Sequence, residues 1–193
     1  MPSDESSSHP EGRLVLGLGN PGEDYAATRH NLGFRVVDEL ARRRGLSPWR
    51  LECNSLVATE GEVFFAKPLT YMNRSGHAAR CLVERHGFAR DAVLVIYDEV
   101  HLPLGRLRLR PAGSPAGHRG MESVIAGLRS DGIARLRLGV AQDDAAADLV
   151  SFVLAPFDED EQERVEKMIE RAADACEGWL EGGVAAAMNR FNG

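Results

Sequence analysis

The sequence predicts an α/β fold: one domain with a mixed, twisted β-sheet sandwiched between α-helices. Three observations carry this expectation. Arg13–Gly19 and Ala92–Tyr97 are apolar runs that read as buried strands. Segments with apolar residues at helical spacing alternate with such runs along the chain. The 193 residues, 44% hydrophobic and 27% charged, suit one core better than two.

Each element follows from local pattern. Arg13–Gly19 ends in Gly-Asn-Pro-Gly, a strand followed by a turn. Leu32, Val36, Val37 and Leu40 share one helical face, which predicts a helix over Asn31–Arg44 that Gly45 and Pro48 terminate. Asn54–Thr59 and Glu62–Ala66 flank Glu60-Gly61 and read as a hairpin. Ser75–His86 is helical and stops at Gly87; Ala92–Tyr97 is the central strand. Arg106–Arg110 and Leu136–Val140 read as strands, with a short helix at Met121–Leu128 between them. Val165, Met168, Ile169, Ala172, Ala173 and Cys176 mark a long final helix over Asp158–Leu180 with an acidic outer face. Residues 1–12 read as a disordered leader and 13–193 as the domain.

Composition excludes several classes. No apolar run approaches the roughly 20 residues that a membrane helix needs. The three cysteines, Cys53, Cys81 and Cys176, are isolated and form neither a zinc pattern nor an evident disulfide framework, which points to a reducing cytoplasm. The net charge of −6 argues against a generic nucleic-acid coat. Its distribution is uneven, however: residues 101–140 carry seven arginines against Glu122 and Asp131, while residues 141–193 are strongly acidic. A locally basic segment in an acidic protein can form a focused anion site.

Gly17-Leu-Gly19-Asn-Pro-Gly22 matches the dinucleotide fingerprint, but Pro21-Gly22 and Glu23-Asp24 delay the helix whose N-terminus would hold a pyrophosphate. A better signal lies in polar residues at strand ends, where sites form in open α/β sheets. Asn20 follows the first strand, Asn73 the hairpin and Asp98 the central strand, while His30 precedes the first helix. A histidine with a carboxylate partner is a candidate general base. No serine or cysteine sits in a nucleophile elbow, and no set of residues has metal-ligand spacing. From spacing alone His30 reads more readily as a solvent-facing helix cap than as a base.

Leu14–Phe34 (LVLGLGNPGEDYAATRHNLGF), Lys67–Gly76 (KPLTYMNRSG), Tyr97–Arg110 (YDEVHLPLGRLRLR), Ala116–Gly120 (AGHRG) and Arg135–Gly139 (RLRLG) occur in order. Together they resemble bacterial-type peptidyl-tRNA hydrolases over nearly the whole chain. The resemblance implies hydrolysis of the ester between a peptidyl group and the terminal ribose of tRNA, with no cofactor and no metal. It implies His30 as the base that activates water, Asp98 as the carboxylate that orients it, and Asn73 as an amide that positions water or carbonyl. Asn20 would read the N-blocked amide of the peptidyl group, and Tyr25 and Tyr71 would wall the substrate site. Arg106, Arg108, Arg110, Arg135 and Arg137 would contact phosphates of the acceptor stem, and the partner would be peptidyl-tRNA through its stem and CCA end. A cytoplasmic monomer is expected.

Two departures stand out. The family usually has Gly-His-Asn-Gly where this chain has Gly117-His118-Arg119-Gly120, and an arginine cannot accept hydrogen bonds. Arg119 is therefore expected to hold substrate through its charge. Pro111, Ser114 and Pro115 replace glycines of the flanking lid, which stiffens it. The alternatives are a non-catalytic RNA-binding relative of the same fold and, more remotely, a nucleotide-binding protein.

Overall fold

The structure, a computed structural model, describes residues 12–142 and 148–192. The expected leader lies almost entirely outside the described residues. Seven strands form one sheet: β1 (Arg13–Gly17), β2 (Arg50–Glu52), β3 (Ser55–Glu60), β4 (Val63–Pro68), β5 (Val93–Pro103), β6 (Leu107–Arg110) and β7 (Ala134–Ala141). Their order is β2-β3-β4-β1-β5-β7-β6. β4, β1, β5 and β7 are parallel, while β2, β3 and β6 run antiparallel to their neighbours. The helices are α1 (Glu23–Ala26), α2 (Leu32–Arg44), α3 (Ser75–His86), α4 (Arg119–Leu128), α5 (Leu149–Val153) and α6 (Gln162–Phe191).

Strand periodicity sorts the core into two layers. Val15, Leu94, Ile96, Leu136 and Leu138 pack against α2 and α6. Leu14, Leu16, Val93, Val95 and Tyr97 face α3 and α4. The predicted sandwich is therefore the observed one. α2 also crosses β1 at very short range: a Cβ on Gly17 would lie 2.2 Å from the Gly33 carbonyl oxygen, and one on Gly33 2.4 Å from that of Ile96. The first glycine of the apparent dinucleotide fingerprint thus serves helix–strand packing; against the expected delay, the four-residue α1 starts directly after Gly22, and only the long helix α2 waits until Leu32.

Several boundaries differ from the sequence expectation. β5 continues through Asp98 to Pro103, although the apolar run ends at Tyr97, because β7 pairs with it as far as Pro103↔Ala141. β2 escapes detection because it has only three residues and lies at the sheet edge. α6 runs past Leu180 across a kink at Gly183 (φ 75°), which lets Phe191 return against the core. Beyond it the Asn192 carboxamide pairs with both backbone groups of Leu109 (2.7 and 3.1 Å), covering part of the β6 edge.

The cysteine expectation is corrected. Cys53 and Cys81 form a disulfide, with Cα atoms 5.6 Å apart; Cys176 alone is free and is buried. Cys53 and Asn54, both at φ 51°, make the tight β2–β3 turn that brings the first sulfur onto α3. A separation of 28 residues gave no sign of this contact, which only the packing of the turn on the helix creates.

Candidate active site

The parallel strands end on one side of the sheet, and a cavity of about 490 Å³ opens there. Asn20, His30, Tyr71, Asn73, Asp98 and Arg119 all line it. Five separate chain segments supply them. Asn20 follows β1, and His30 sits in a 3-10 turn (Arg29–Asn31) before α2. Tyr71 precedes and Asn73 occupies a second 3-10 turn (Met72–Arg74) that leads into α3. Asp98 lies on the part of β5 that extends past its pairing with β1.

His30 Nδ1 lies 2.8 and 3.0 Å from the two carboxylate oxygens of Asp98. That contact places a proton on Nδ1, so the neutral ring presents its lone pair on Nε2, the tautomer required of a base. A second imidazole shares the carboxylate, since His118 Nε2 lies 3.1 Å from Asp98 Oδ1. The Met121 backbone N–H donates to His118 Nδ1 at 3.1 Å, so His118 must carry its proton on Nε2 and donate to Asp98. That bond also makes His118 the N-cap of α4. Burial by itself would raise the Asp98 pKa, but the two imidazoles outweigh it and hold the group well below the usual carboxylate range. Asp98 is therefore an ionised, fully enclosed acceptor. His30, Asp98 and His118 each bring a potential ligand atom within 4.8 Å of the others, a closeness that their shared hydrogen bonds to one carboxylate already require.

Asn20 is held from two sides. The Asn31 side chain accepts from the Asn20 backbone N–H and donates to its carbonyl, both at 2.9 Å. The Asn20 side-chain oxygen accepts from the Met72 N–H at 2.8 Å. Its NH2 group is thereby left to the cavity, a donor suited to an amide carbonyl. Asn73 is exposed within the cavity, and Tyr71, 60% exposed, forms its rim. Tyr25 sits on α1, half-buried and outside the cavity lining. Arg119 occupies the first position of α4, exposed and facing the cavity.

The arginines separate by environment. Register pairs Arg108 with Arg137 and Arg110 with Arg135, so all four project from the same face of the β6–β7 ladder. Arg108 is exposed and Arg110 half-buried, and Arg106 precedes the strand at the surface. Arg137 is partly covered, 3.4 Å from Glu99. Arg135 does not fit the expected phosphate contact. It is 0% exposed, and its guanidinium donates to the carbonyls of Gly113 (2.6 Å), Asp131 (2.7 Å), Ile133 (3.1 Å) and Ser114 (3.3 Å). Its role is to pin the loop that precedes His118, because a long cation enclosed by carbonyls has no surface to offer a ligand.

Three features were not evident in the sequence. Asn31 adjoins His30 but has no marker of its clamp on Asn20. The motif around His118 gives no sign that its ring caps α4 and reaches Asp98. Leu149, Val150, Val153 and Leu154 form an apolar wall of the cavity, contributed by the five-residue helix α5. That helix is too short to show periodicity.

Comparison with known proteins agrees with this architecture. The family model described as peptidyl-tRNA hydrolase matches residues 14–193. Peptidyl-tRNA hydrolases from Synechococcus sp. (strain JA-2-3B'a(2-13)) and Geobacillus kaustophilus are 47% and 43% identical to the chain. Each alignment covers 93% of this chain, and respectively 83% and 99% of the relative. The crystal structure of peptidyl-tRNA hydrolase from Acinetobacter baumannii superposes with a TM-score of 0.86 at 30% identity, covering 94% of this chain and 95% of that one. With a family match across the whole strand-end site and the same fold in a solved relative, the chain belongs to the peptidyl-tRNA hydrolase family.

Proposed function

We propose that the cavity is where this family member hydrolyses the ester joining a peptidyl group to the 3′-terminal ribose of tRNA. The observation that carries the reading is the His30–Asp98 pair, which fixes the tautomer in which Nε2 of the neutral ring can act as the base at the cavity wall. A water held between Nε2 and Asn73 attacks the ester carbonyl carbon as its proton passes to Nε2. Buried Asp98 stabilises the resulting imidazolium. The tetrahedral intermediate collapses when the ribose oxygen leaves and takes that proton back, so the histidine is restored in one cycle. The ester's ribose leaving group requires no covalent enzyme intermediate, cofactor or nucleotide.

Recognition divides between the two ends of the substrate. The Asn20 NH2 donates to the amide carbonyl of an N-blocked residue, whereas a free α-ammonium offers only donors. Tyr71 and the α5 wall receive the peptidyl side chains. Arg106, Arg108, Arg110 and Arg137 contact phosphates of the acceptor stem, with Arg119 closer to the CCA end. Contacts of this kind carry no sequence information, which suits an enzyme that must accept many tRNAs. The protein acts as a cytoplasmic monomer that returns tRNA to translation. Release of the acetyl-amino acid from N-acetyl-aminoacyl-tRNA, over many turnovers and without added metal or nucleotide, tests the proposal. Binding of RNA without release would instead favour a non-catalytic relative.

A further inference from the structure

The apolar wall of the cavity is not held in place by its own burial. α5 has no buried residue, and Leu149, Val150 and Leu154 are 48%, 52% and 38% exposed while they line the cavity. Arg29, by contrast, is 3% exposed and reaches this segment at several points. Its backbone N–H donates to the Ala155 carbonyl at 3.1 Å, and its guanidinium donates to the Pro156 carbonyl. The same guanidinium lies 4.5 Å from the Phe152 ring and 4.8 Å from the Phe157 ring. Its second amino group meets Glu161 Oε2 at 2.6 Å. Glu161 is itself fixed, accepting from the Asp158 N–H at 2.8 Å and the Gln142 side chain at 2.9 Å.

We propose that Arg29, locked by Glu161, is the positioning residue that holds the α5 wall over the cavity and thereby sets affinity for an apolar side chain on the ester-bearing residue of the substrate. The inference rests on the peptidyl-tRNA reading given above. Its physical basis is that the planar fork stacks on aromatic rings while bonding carbonyl and carboxylate together, which a lysine's point charge cannot reproduce. Arg29 and His30 are consecutive in one 3-10 turn, so the anchor of the wall and the base share a backbone frame. Neither Arg29 nor Glu161 lines the cavity, so neither touches substrate.

Arg29→Lys and Glu161→Gln test this, with kcat and KM measured on N-acetyl-leucyl-tRNA and N-acetyl-glycyl-tRNA. The expected KM for the leucyl substrate rises about tenfold, with the glycyl KM and both kcat values within about twofold of the starting protein. Hydrogen exchange of the backbone amides at 150–154 should accelerate in both variants. An equal KM rise on both substrates, or a fall in kcat at unchanged KM, overturns the proposal. If Arg29→Lys does not fold, Glu161→Gln decides alone, since it preserves shape and an oxygen acceptor. If the unmodified protein releases no amino acid, the functional reading has failed. Exchange at 150–154 then judges the latch, and unchanged protection overturns it.

Discussion

The side chain of Asn31 grips the main chain of Asn20, accepting from its N–H and donating to its carbonyl at 2.9 Å each. Both residues are nearly inaccessible, with exposures of 2% and 6%. The clamp joins the turn after β1 to the turn that carries His30, so the proposed substrate-reading amide and the proposed base are set by one pair of bonds. Asn31→Ala leaves a buried N–H and carbonyl unpaired, which costs about 1–3 kcal/mol each where water cannot replace the partner. The expected outcome is a lowered melting temperature and a reduced preference for acetylated over free aminoacyl-tRNA. Asn20→Asp should narrow the same preference, because it places an acceptor where the ammonium would lie. An unaltered ratio in both variants would remove Asn20 from selection.

His30→Ala should abolish turnover by at least about 10²-fold while the protein stays folded and binds tRNA. The charge on Asp98 gives a finer test. Asp98 is ionised in the folded protein because its pKa is held below the ordinary carboxylate range. Its contribution to stability is therefore complete above that range and is lost as pH falls through it toward the lower folded value. Asp98→Asn removes the charge that favours the imidazolium, so turnover drops and the acid limb of the activity profile moves to lower pH. The mutant should also lose part of the acid-dependent destabilisation expected of the parent. Unchanged turnover with an unchanged pH–rate profile would uncouple Asp98 from the base.

Arg119 stands at the head of α4 and faces the cavity without a described partner. Arg119→Asn should remain active, with a higher KM and a salt dependence shallower by about one phosphate contact. Arg119→Ala should share the salt effect and also lose activity, because no donor remains. Parallel slopes of KM against salt for all three forms would place Arg119 outside the RNA contact.

Thiol chemistry tests the disulfide. The folded, unreduced protein should show no rapidly reacting thiol, because Cys53 and Cys81 are bonded and burial pushes the Cys176 thiol far above its ordinary pKa. Reduction should expose two thiols, and unfolding the third. Closing a loop across 28 residues should stabilise the fold by roughly 2–4 kcal/mol, so reduction lowers the melting temperature without ending activity. Two reactive thiols before reduction would show that the bond is absent in solution.

Local pattern alone determined the layers of this protein. Strand alternation at Leu14, Val15 and Leu16, and helical spacing at Leu32, Val36, Val37 and Leu40, are short-range consequences of backbone geometry and burial, and both are visible along the chain. His30, Asn73, Asp98 and Asn20 could be named from their positions at strand ends and from the motifs around them. What those side chains touch was decided only by tertiary structure. Asp98 serves two imidazoles, Asn20 is fixed by Asn31, Arg135 is enclosed by carbonyls beside half-buried Arg110, and Cys53 meets Cys81. The longest of these contacts, His30 on Asp98 and Cys53 on Cys81, join segments distant in sequence at a spacing set by sheet order and helix docking. Residue type and period show which face a side chain occupies, but the partner waiting there belongs to another segment, and only the folded chain brings the two together.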